Sequence, residues 1–391
     1  MVQVASLFNQ LLQHFPRAEF AALVKKHGAE RGAKGFTCWT QLVSMLFCQL
    51  AHADSLREIC NGLGCCLGKL VHLGVGKAPK KSTLSYANEH RPAQLYEDLF
   101  YAALNRFRGQ EGLGPRKQKF RFKNKLLSLD STTISLCLEL FPWAKFRRAK
   151  GGVKAHVLLD HDDYLPRYVL ITEAKRSDVK MANAFPLNPG SIVAMDRGYN
   201  DYGLFFQWTT EEIFFVTRLK ENAAYAVVEE CVVPQDRNIR SDQLIRFTGV
   251  QAQKDCPCLL RRVVVWDAAN EREIVLLTNQ LAFGATTIAA IYKDRWEIEL
   301  FFKALKQNLK VKSFVGTSEN ALRIQIWTAL IAILLLKWLH HLSKAKWSLS
   351  NLASMLRLNL FTYRDLQKWL DDPFGTPPLL PESEQLTLAL A

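Results

Sequence analysis

The sequence predicts a mixed α/β (α+β) protein with helical regions at both ends. Three patterns predict it. Apolar residues recur at three- and four-residue spacing over 4–15, 38–51 and 94–107. Between 125 and 218, short apolar runs alternate with helical stretches. From 223 to 279 the runs are strand-like throughout. The 391 residues suffice for two or three domains, and 49% apolar with 23% charged residues exclude a disordered chain. Gly and Pro are too sparse for a fibrous protein, and no segment repeats at a fixed period.

The N-terminal helices are separated by short breaks, the last over 74–81 with Pro79. Ser82 follows as a helix cap. Ser82, Thr83, Ser85, Asn88 and Arg91, with Lys77, Lys80, Lys81 and His90 around them, have the composition of a DNA-recognition helix. The same residues fit a solvated helix start after a turn. The junction over 109–125 then carries Arg116, Lys117, Lys119, Arg121, Lys123 and Lys125, interleaved with Phe120 and Phe122. Cations leading straight into a strand suit phosphate contact, and they also suit a solvated linker.

The middle section reads as a strand over 125–136, then a hairpin of 153–159 and 164–172 about the turn His161-Asp162-Asp163. A helix over 178–185, a strand over 191–195, a helix over 201–208 and a strand over 213–218 follow. Three antiparallel strands, then helix, strand, helix and strand, is the order of a ribonuclease H-like core. Strands over 225–233, 244–250, 259–267 and 273–277 look like a β-rich insertion before a long helix over 286–309. The run 326–339 is shorter than the roughly 20 residues of a bilayer span and reads as a buried core helix. The tail beyond 348 is helical with a Pro-rich end (Pro373, Pro377, Pro378, Pro381). The expected layout is 1–110 helical and DNA-binding, 111–220 first part of the core, 221–282 insertion, 283–345 the rest of the core, and 346–391 a helical C-terminal region.

Charge points to the partner. The surplus of +14 suggests a polyanion, most simply nucleic acid, although ribosomal proteins and anionic-lipid binders share the bias. The nine cysteines lack the paired spacing of a structural zinc site, and Cys256-Pro257-Cys258 is a lone C-x-C. An odd cysteine count without a leader fits a reducing cytoplasm.

The long helix carries most of the chemistry. At about 100° per residue, with Tyr292 at zero, Arg295 falls near about −60°, Glu299 about −20° and Lys306 about −40°. Lys303 and Lys310 lie within about 20° of the same line, and Ile291, Ile298, Phe302, Leu305 and Leu309 cluster at about −110°. An ion-paired surface helix has the same appearance. Two strand carboxylates change the weighing. Asp130 interrupts an apolar strand and Asp196 ends another, each losing solvation that a partner must replace. A hard divalent cation is one such partner, and two aspartates with a helix glutamate can hold two Mg2+ ions for in-line phosphoryl transfer. A cap or a turn explains either aspartate taken alone.

The spacing Tyr292-x2-Arg295-x3-Glu299-x6-Lys306 matches the Y-R-E-K signature of DDE transposases of bacterial insertion sequences, in the IS-four group. Asp130 in Leu129-Asp130-Ser131-Thr132 resembles the first aspartate of that family, and Asp196-Arg197-Gly198-Tyr199 resembles the second. Phe141-Pro142-Trp143 and Gly151-Gly152-Val153-Lys154-Ala155-His156 also look similar, and the resemblance spans roughly residues 1–360. It implies a transposase that binds the terminal inverted repeats of its element. Asp130, Asp196 and Glu299 would hold Mg2+ (or Mn2+), water would free a 3′-OH at the element end, and that 3′-OH would attack target DNA. Some members pass through a hairpin. Tyr292, Arg295 and Lys306, with Lys303 and Lys310 on their line, would hold phosphates.

The family's insertion carries a tryptophan that assists the flipped end base. Trp266 is the candidate as the one Trp of the insert, and packing in a small sheet explains it equally. His156, on the strand beside Asp130, is an auxiliary candidate and otherwise a structural histidine. Glu173, Asp178, Asp201 and Glu297 compete as carboxylates; Asp201 reads best as a cap and Glu297 points about 160° off the stripe. The implied partners are double-stranded DNA, as transposon ends and target, and a second copy of the chain in the DNA complex. No membrane is implied, and the implied location is the cytoplasm, on the nucleoid. An inactive DNA-binding descendant and a structure-specific nuclease on the same fold are the alternatives.

Overall fold

A computed structural model of the chain describes residues 5–66, 68–109, 113, 119–137, 139–147, 150–235, 237–311 and 313–377. The chain divides into two compact units, residues 1–113 with 304–391 and residues 114–303.

The first unit opens with α1 (Leu7–Leu12), α2 (Arg17–Lys26), α3 (Cys38–Ala51), α4 (Leu56–Gly64), α5 (Lys81–His90) and α6 (Gln94–Gly109). Thr37 and Ser55 cap α3 and α4 through their hydroxyls, each accepting an N–H three residues on. Helix α5 starts one residue before the expected cap: Lys80 holds the cap position, and Ser82 lies in the first turn. Asn88 and Arg91, expected to face DNA, are buried. The Asn88 side-chain oxygen accepts from Gln41 at 2.8 Å, and Arg91 donates to Gln41 at 3.1 Å and to the Phe36 carbonyl. Packing against α3 consumes both side chains, since a buried polar group must be hydrogen-bonded.

The second unit is built on one ten-stranded sheet. Its strands are β1 (Leu126–Leu136), β2 (Lys145–Arg147), β3 (Lys150–Asp160), β4 (Leu165–Glu173), β5 (Ile192–Met195), β6 (Phe214–Arg218), β7 (Tyr225–Glu230), β8 (Ile239–Phe247), β9 (Leu260–Asp267) and β10 (Arg272–Thr278). Its helices are α7 (Asp178–Ala182), α8 (Tyr202–Thr210), α9 (Val250–Asp255), α10 (Ala285–Asp294) and α11 (Trp296–Asn308), the last crossing the boundary between units. The order is β2-β3-β1-β5-β6-β10-β9-β8-β7, with β4 also paired to β3. Strands β1, β5 and β6 run parallel, and the other pairs are antiparallel. The strands of 221–282, expected as an insertion, join this same sheet. Strand β10 pairs with β6 over Leu276–Thr278, so the free edge of the parallel strands is extended.

Alternation along the strands assigns two faces. Leu126, Ile192, Ala194 and Val216 point to α10 and pack on Ile288 and Ile291. Leu127, Leu129, Val193, Met195 and Phe215 point the other way and pack with Phe205 and Trp208 of α8. Each such side chain contributes about 1.5–3 kcal/mol on full burial, so the two apolar clusters pin the strand register. Asp201 caps α8 as expected, accepting the Leu204 N–H at 2.9 Å.

The long helix expected over 286–309 is divided. The Arg295 N–H is shared between the carbonyls of Ile291 (3.3 Å) and Tyr292 (3.2 Å), and the Ile298 N–H reaches only the Arg295 carbonyl at 3.1 Å. The ladder tightens locally to i−3 bonds and ends one helix as the next begins.

The first unit closes with α12 (Glu319–Leu342), α13 (Leu349–Asn359) and α14 (Leu366–Asp371). Helix α12 has 24 residues and is long and apolar enough to cross a membrane by length and composition. It is the core helix of its unit, packed against α3, α5, α6, α13 and α14. Pro378 and Pro381 lie outside the described residues.

Candidate active site

The site is assembled where the parallel pairing of β1 with β5 runs out. The register pairs Leu126 with Ile192 and Ser128 with Ala194. One alternation further it sets Asp130 beside Asp196 on the face that looks to α10 and α11. Asp196 keeps extended backbone (φ −74°, ψ 160°) before the short turn Arg197–Tyr199, so it continues the strand's parity. Glu299 comes from the first turn of α11.

Arg295, at the break between the two helices, lies between these carboxylates. Its guanidinium donates to Glu299 Oε1 at 2.7 Å and to Asp130 Oδ2 at 3.4 Å, and sits 5.5 Å from the Tyr292 ring centroid. The break itself positions it: a side chain at a helix junction can reach both the strand and the following turn. Burial opposes the charge of Arg295, but Tyr292, Glu299 and Asp130 raise its pKa overall. The Tyr292 hydroxyl is pushed up by burial first, with Asp196 adding to the shift.

Asp130 is the carboxylate under most pressure. Burial pushes its pKa up to about 6, and Asp196 and Glu299 push the same way. The Ser131 N–H, bonded at 2.8 Å, and Arg295 pull it down without restoring the ordinary value. Loss of solvent is therefore the larger pressure, and the two neighbouring carboxylates add to it. All three carboxylates line one cavity of about 950 Å³, together with Tyr292, Arg295 and Trp266.

An oxygen-only donor set and a half-buried aspartate with a raised pKa suit a hard divalent cation. Among the described residues no three His, Cys, Asp or Glu side chains are grouped to hold one metal ion, because Arg295 spans the space between Asp130 and Glu299. Asp130, Asp196 and Glu299 would suit a metal by donor chemistry, and here Arg295 pairs with two of them.

Other expected site residues fall in different places. His156 does not approach Asp130. The register sets it opposite Ser131, on the far face of the sheet. There it is fully buried, with Nε2 2.9 Å from the Thr172 hydroxyl and Nδ1 3.5 Å from Asp178. Burial pushes its pKa down to about 4. Trp266 ends β9 half-buried on the cavity wall, with the Arg240 guanidinium 5.4 Å from its ring centroid. Lys303 is exposed one turn beyond Glu299, and Lys306 is half-buried further along α11. Lys310 is not on the stripe, because α11 ends at Asn308; its ammonium pairs with Asp54 in the first unit. Ser82 is exposed, and Thr83 and Ser85 are half-buried on α5.

The basic junction is partly consumed too. Lys125 bonds Asp160 at 2.6 Å and Asp162 at 2.5 Å, and Lys119 pairs with Asp294. Phe120, Phe122 and Phe283 stack on one another at 5.0 Å, so these aromatics pack internally. Arg121 and Lys123 remain exposed, and Arg116 and Lys117 lie outside the described residues. Sequence reasoning missed Arg218 and Lys293, which also line the cavity. Arg218 ends β6 beside the strand of Asp196, and that end position was its available signal.

Comparison with known proteins places the chain in a family. The family described as Transposase DDE domain matches residues 121–335. A family described as a domain of unknown function (DUF4372) matches residues 3–76. A protein of Sinorhizobium fredii named as transposase y4zB is 32% identical over 296 residues, 74% of this chain and 80% of that one. A protein of Geobacillus stearothermophilus named as the transposase for insertion sequence element IS5377 is 30% identical over 270 residues, 69% of this chain and 70% of that one. One of a Synechocystis strain, named for element IS4SA, is 27% identical over 269 residues, 68% of this chain and 73% of that one.

Proposed function

The chain belongs to the DDE transposases of insertion sequences, and from that premise we propose how its own residues perform DNA cleavage and strand transfer. Asp130, Asp196 and Glu299 form the catalytic carboxylate set and hold two divalent cations, Mg2+ with Mn2+ as a substitute. When bound, such ions activate the attacking oxygen and neutralise charge at the leaving oxygen. One observation carries this reading: two aspartates stand side by side on adjacent parallel strands, facing a helix glutamate across a shared guanidinium.

The protein residues supply the rest. Arg295 releases a carboxylate and turns its fork to a phosphate, for which guanidinium geometry is suited. Tyr292, held beside Arg295, orients that fork. Lys303 and Lys306 follow the DNA backbone away from the scissile bond. Trp266 offers a ring to a base displaced from the duplex end. The α5 region of the first unit, through Ser82, Thr83 and Ser85, reads the element's inverted repeat. The sheet of the second unit is a ribonuclease H-like core extended at one edge, and the active form on DNA is at least a dimer. The protein works in the cytoplasm on chromosomal and element DNA.

The test is cleavage of a labelled duplex carrying the element's own end, with Mg2+, Mn2+ or EDTA, and binding scored by gel shift. Wild type should nick the end only with metal. Glu299→Gln should keep binding and lose nicking. Nicking that persists in Glu299→Gln, or that ignores the end sequence, would replace this assignment with a nuclease lacking a role for Glu299.

A further inference from the structure

A second chain of hydrogen bonds joins the same two elements on the side away from the cavity. Asp294, the last residue of α10 and the neighbour of Arg295, is buried. Its Oδ2 accepts from His161 Nδ1 at 2.6 Å and from the Tyr164 hydroxyl at 3.2 Å, while Oδ1 takes the Lys119 ammonium. The other imidazole nitrogen, Nε2, is 2.6 Å from Ser128 Oγ. With Nδ1 donating to the carboxylate, a neutral imidazole presents Nε2 as an acceptor, so the Ser128 hydroxyl donates. Ser128 stands two residues before Asp130, on the same face of β1.

Serine, histidine and aspartate in this order suggest an activated nucleophile. Here that use is closed, because Ser128 is 0% exposed within its strand and no substrate carbon or phosphorus can reach it. The geometry instead joins two structural elements through one imidazole. Burial raises the Asp294 carboxyl, yet the His161 and Lys119 hydrogen bonds outweigh it and hold the group below its ordinary range. Tyr164 adds an independent sign. Its φ is +54°, a left-handed conformation that is strained for a side chain with Cβ. A residue without a side-chain role at that turn position would be glycine or asparagine, and here the tyrosine spends its hydroxyl on Asp294.

We propose that Ser128, His161 and Asp294, with Tyr164, are positioning residues that lock the α10–α11 junction to β1 and so set Arg295 and Glu299 against Asp130. The proposal rests on the transposase reading of the site. None of the four touches the reacting atoms. They act as outer partners of carboxylate ligands do, whose loss typically weakens metal affinity or activity by about 10- to 100-fold.

The test uses the full chain and two variants that cut the link at β1 while sparing Asp294 a donor, Ser128→Ala and His161→Asn. Backbone hydrogen exchange is measured on the metal-free protein, Mn2+ affinity by titration, and end cleavage in parallel. Each variant should melt close to wild type and exchange about 10-fold faster over 292–299, with β9 and β10 unchanged. Mn2+ affinity and cleavage should each fall about 10-fold or more. The double variant should be no worse than either single one, since both cut one link. Folded variants with wild-type exchange over 292–299 and wild-type Mn2+ affinity would overturn the proposal. So would faster exchange spread evenly through the sheet, which would reduce the relay to general support of the fold. If wild type neither binds Mn2+ nor cleaves, while the exchange change stays confined to 292–299, the relay stands and the metal-site reading fails.

Discussion

The two faces of β1 carry two clusters of charged side chains, and they are in opposite states. Toward α10 and α11, Asp130 and Glu299 share the guanidinium of Arg295, and Asp196 lines the same open cavity. Toward α7, Asp178 accepts from Ser131 at 2.8 Å and from Lys154 at 3.0 Å, with His156 at 3.5 Å. The second cluster balances its charge within hydrogen-bond distance. The first leaves Asp130 with a pKa pushed up to about 6. Adjacent residues of one strand, Asp130 and Ser131, therefore feed an open site with a raised carboxyl and a site paired within the fold. Undercompensated charge next to a cavity marks the face that takes a ligand, and closed pairing marks the face that holds the fold.

The comparison breaks first at Arg295. Arg295→Gln removes the bridging cation and the phosphate fork together. End cleavage should fall by about 100-fold or more, in the range for losing one preorganised donor. Mn2+ affinity without DNA should rise at the same time, because the bridging place is vacated. A fall in both would mean that Arg295 organises the carboxylates and does not compete with metal.

A smaller effect is expected on the closed face. Asp178→Asn weakens the contacts to Lys154 and Ser131 and should destabilise the fold by about 1–3 kcal/mol. Cleavage per folded molecule should stay within about threefold of wild type, well short of the loss expected for an outer partner of a metal site. A loss of Mn2+ affinity in this variant would show that the two faces are one site.

The smallest effect is in acid stability, and its sign differs between the faces. Asp130 has a folded pKa of about 6, above the ordinary aspartate value of 3.8. Its contribution to the metal-free fold is present below 3.8 and is lost as pH rises through about 6. His156 has a folded pKa of about 4, below 6.5. Its contribution is present above 6.5 and is lost as pH falls through about 4. Chemical denaturation between these limits should therefore give Asp130→Asn a steeper rise of stability with pH than wild type, and His156→Gln a shallower one. The same slope in all three proteins would remove the distinction.

Much of this was legible in the sequence for physical reasons. Asp130 and Asp196 stand out because a carboxylate in an apolar strand needs a partner. Tyr292, Arg295 and Glu299 stand out because a helical repeat brings them into line even across the break at Arg295. What was not legible depends on long-range pairing. The face of His156 is decided by the β1–β3 register, and one residue of slip would have put it on the face of Asp130. Asn88 and Arg91 have the composition of DNA contacts, and only the approach of α3 buries them. Lys310 fits the stripe by angle, but the helix has ended two residues earlier. Strands β7 to β10 read as a β-rich insertion, and nothing local announces that β10 pairs with the edge of β6. The link from Ser128 to Asp294 joins three separated segments, and no spacing rule connects them.

The proposed role of Asp130 as a metal ligand is tested by replacing its hard oxygen with sulfur. Asp130→Cys presents a softer ligand, which disfavours Mg2+ more than Mn2+. End cleavage by this variant should be lost in Mg2+ and partly restored by Mn2+, with end binding unchanged. Cleavage in Mg2+ at the wild-type rate would contradict the assignment.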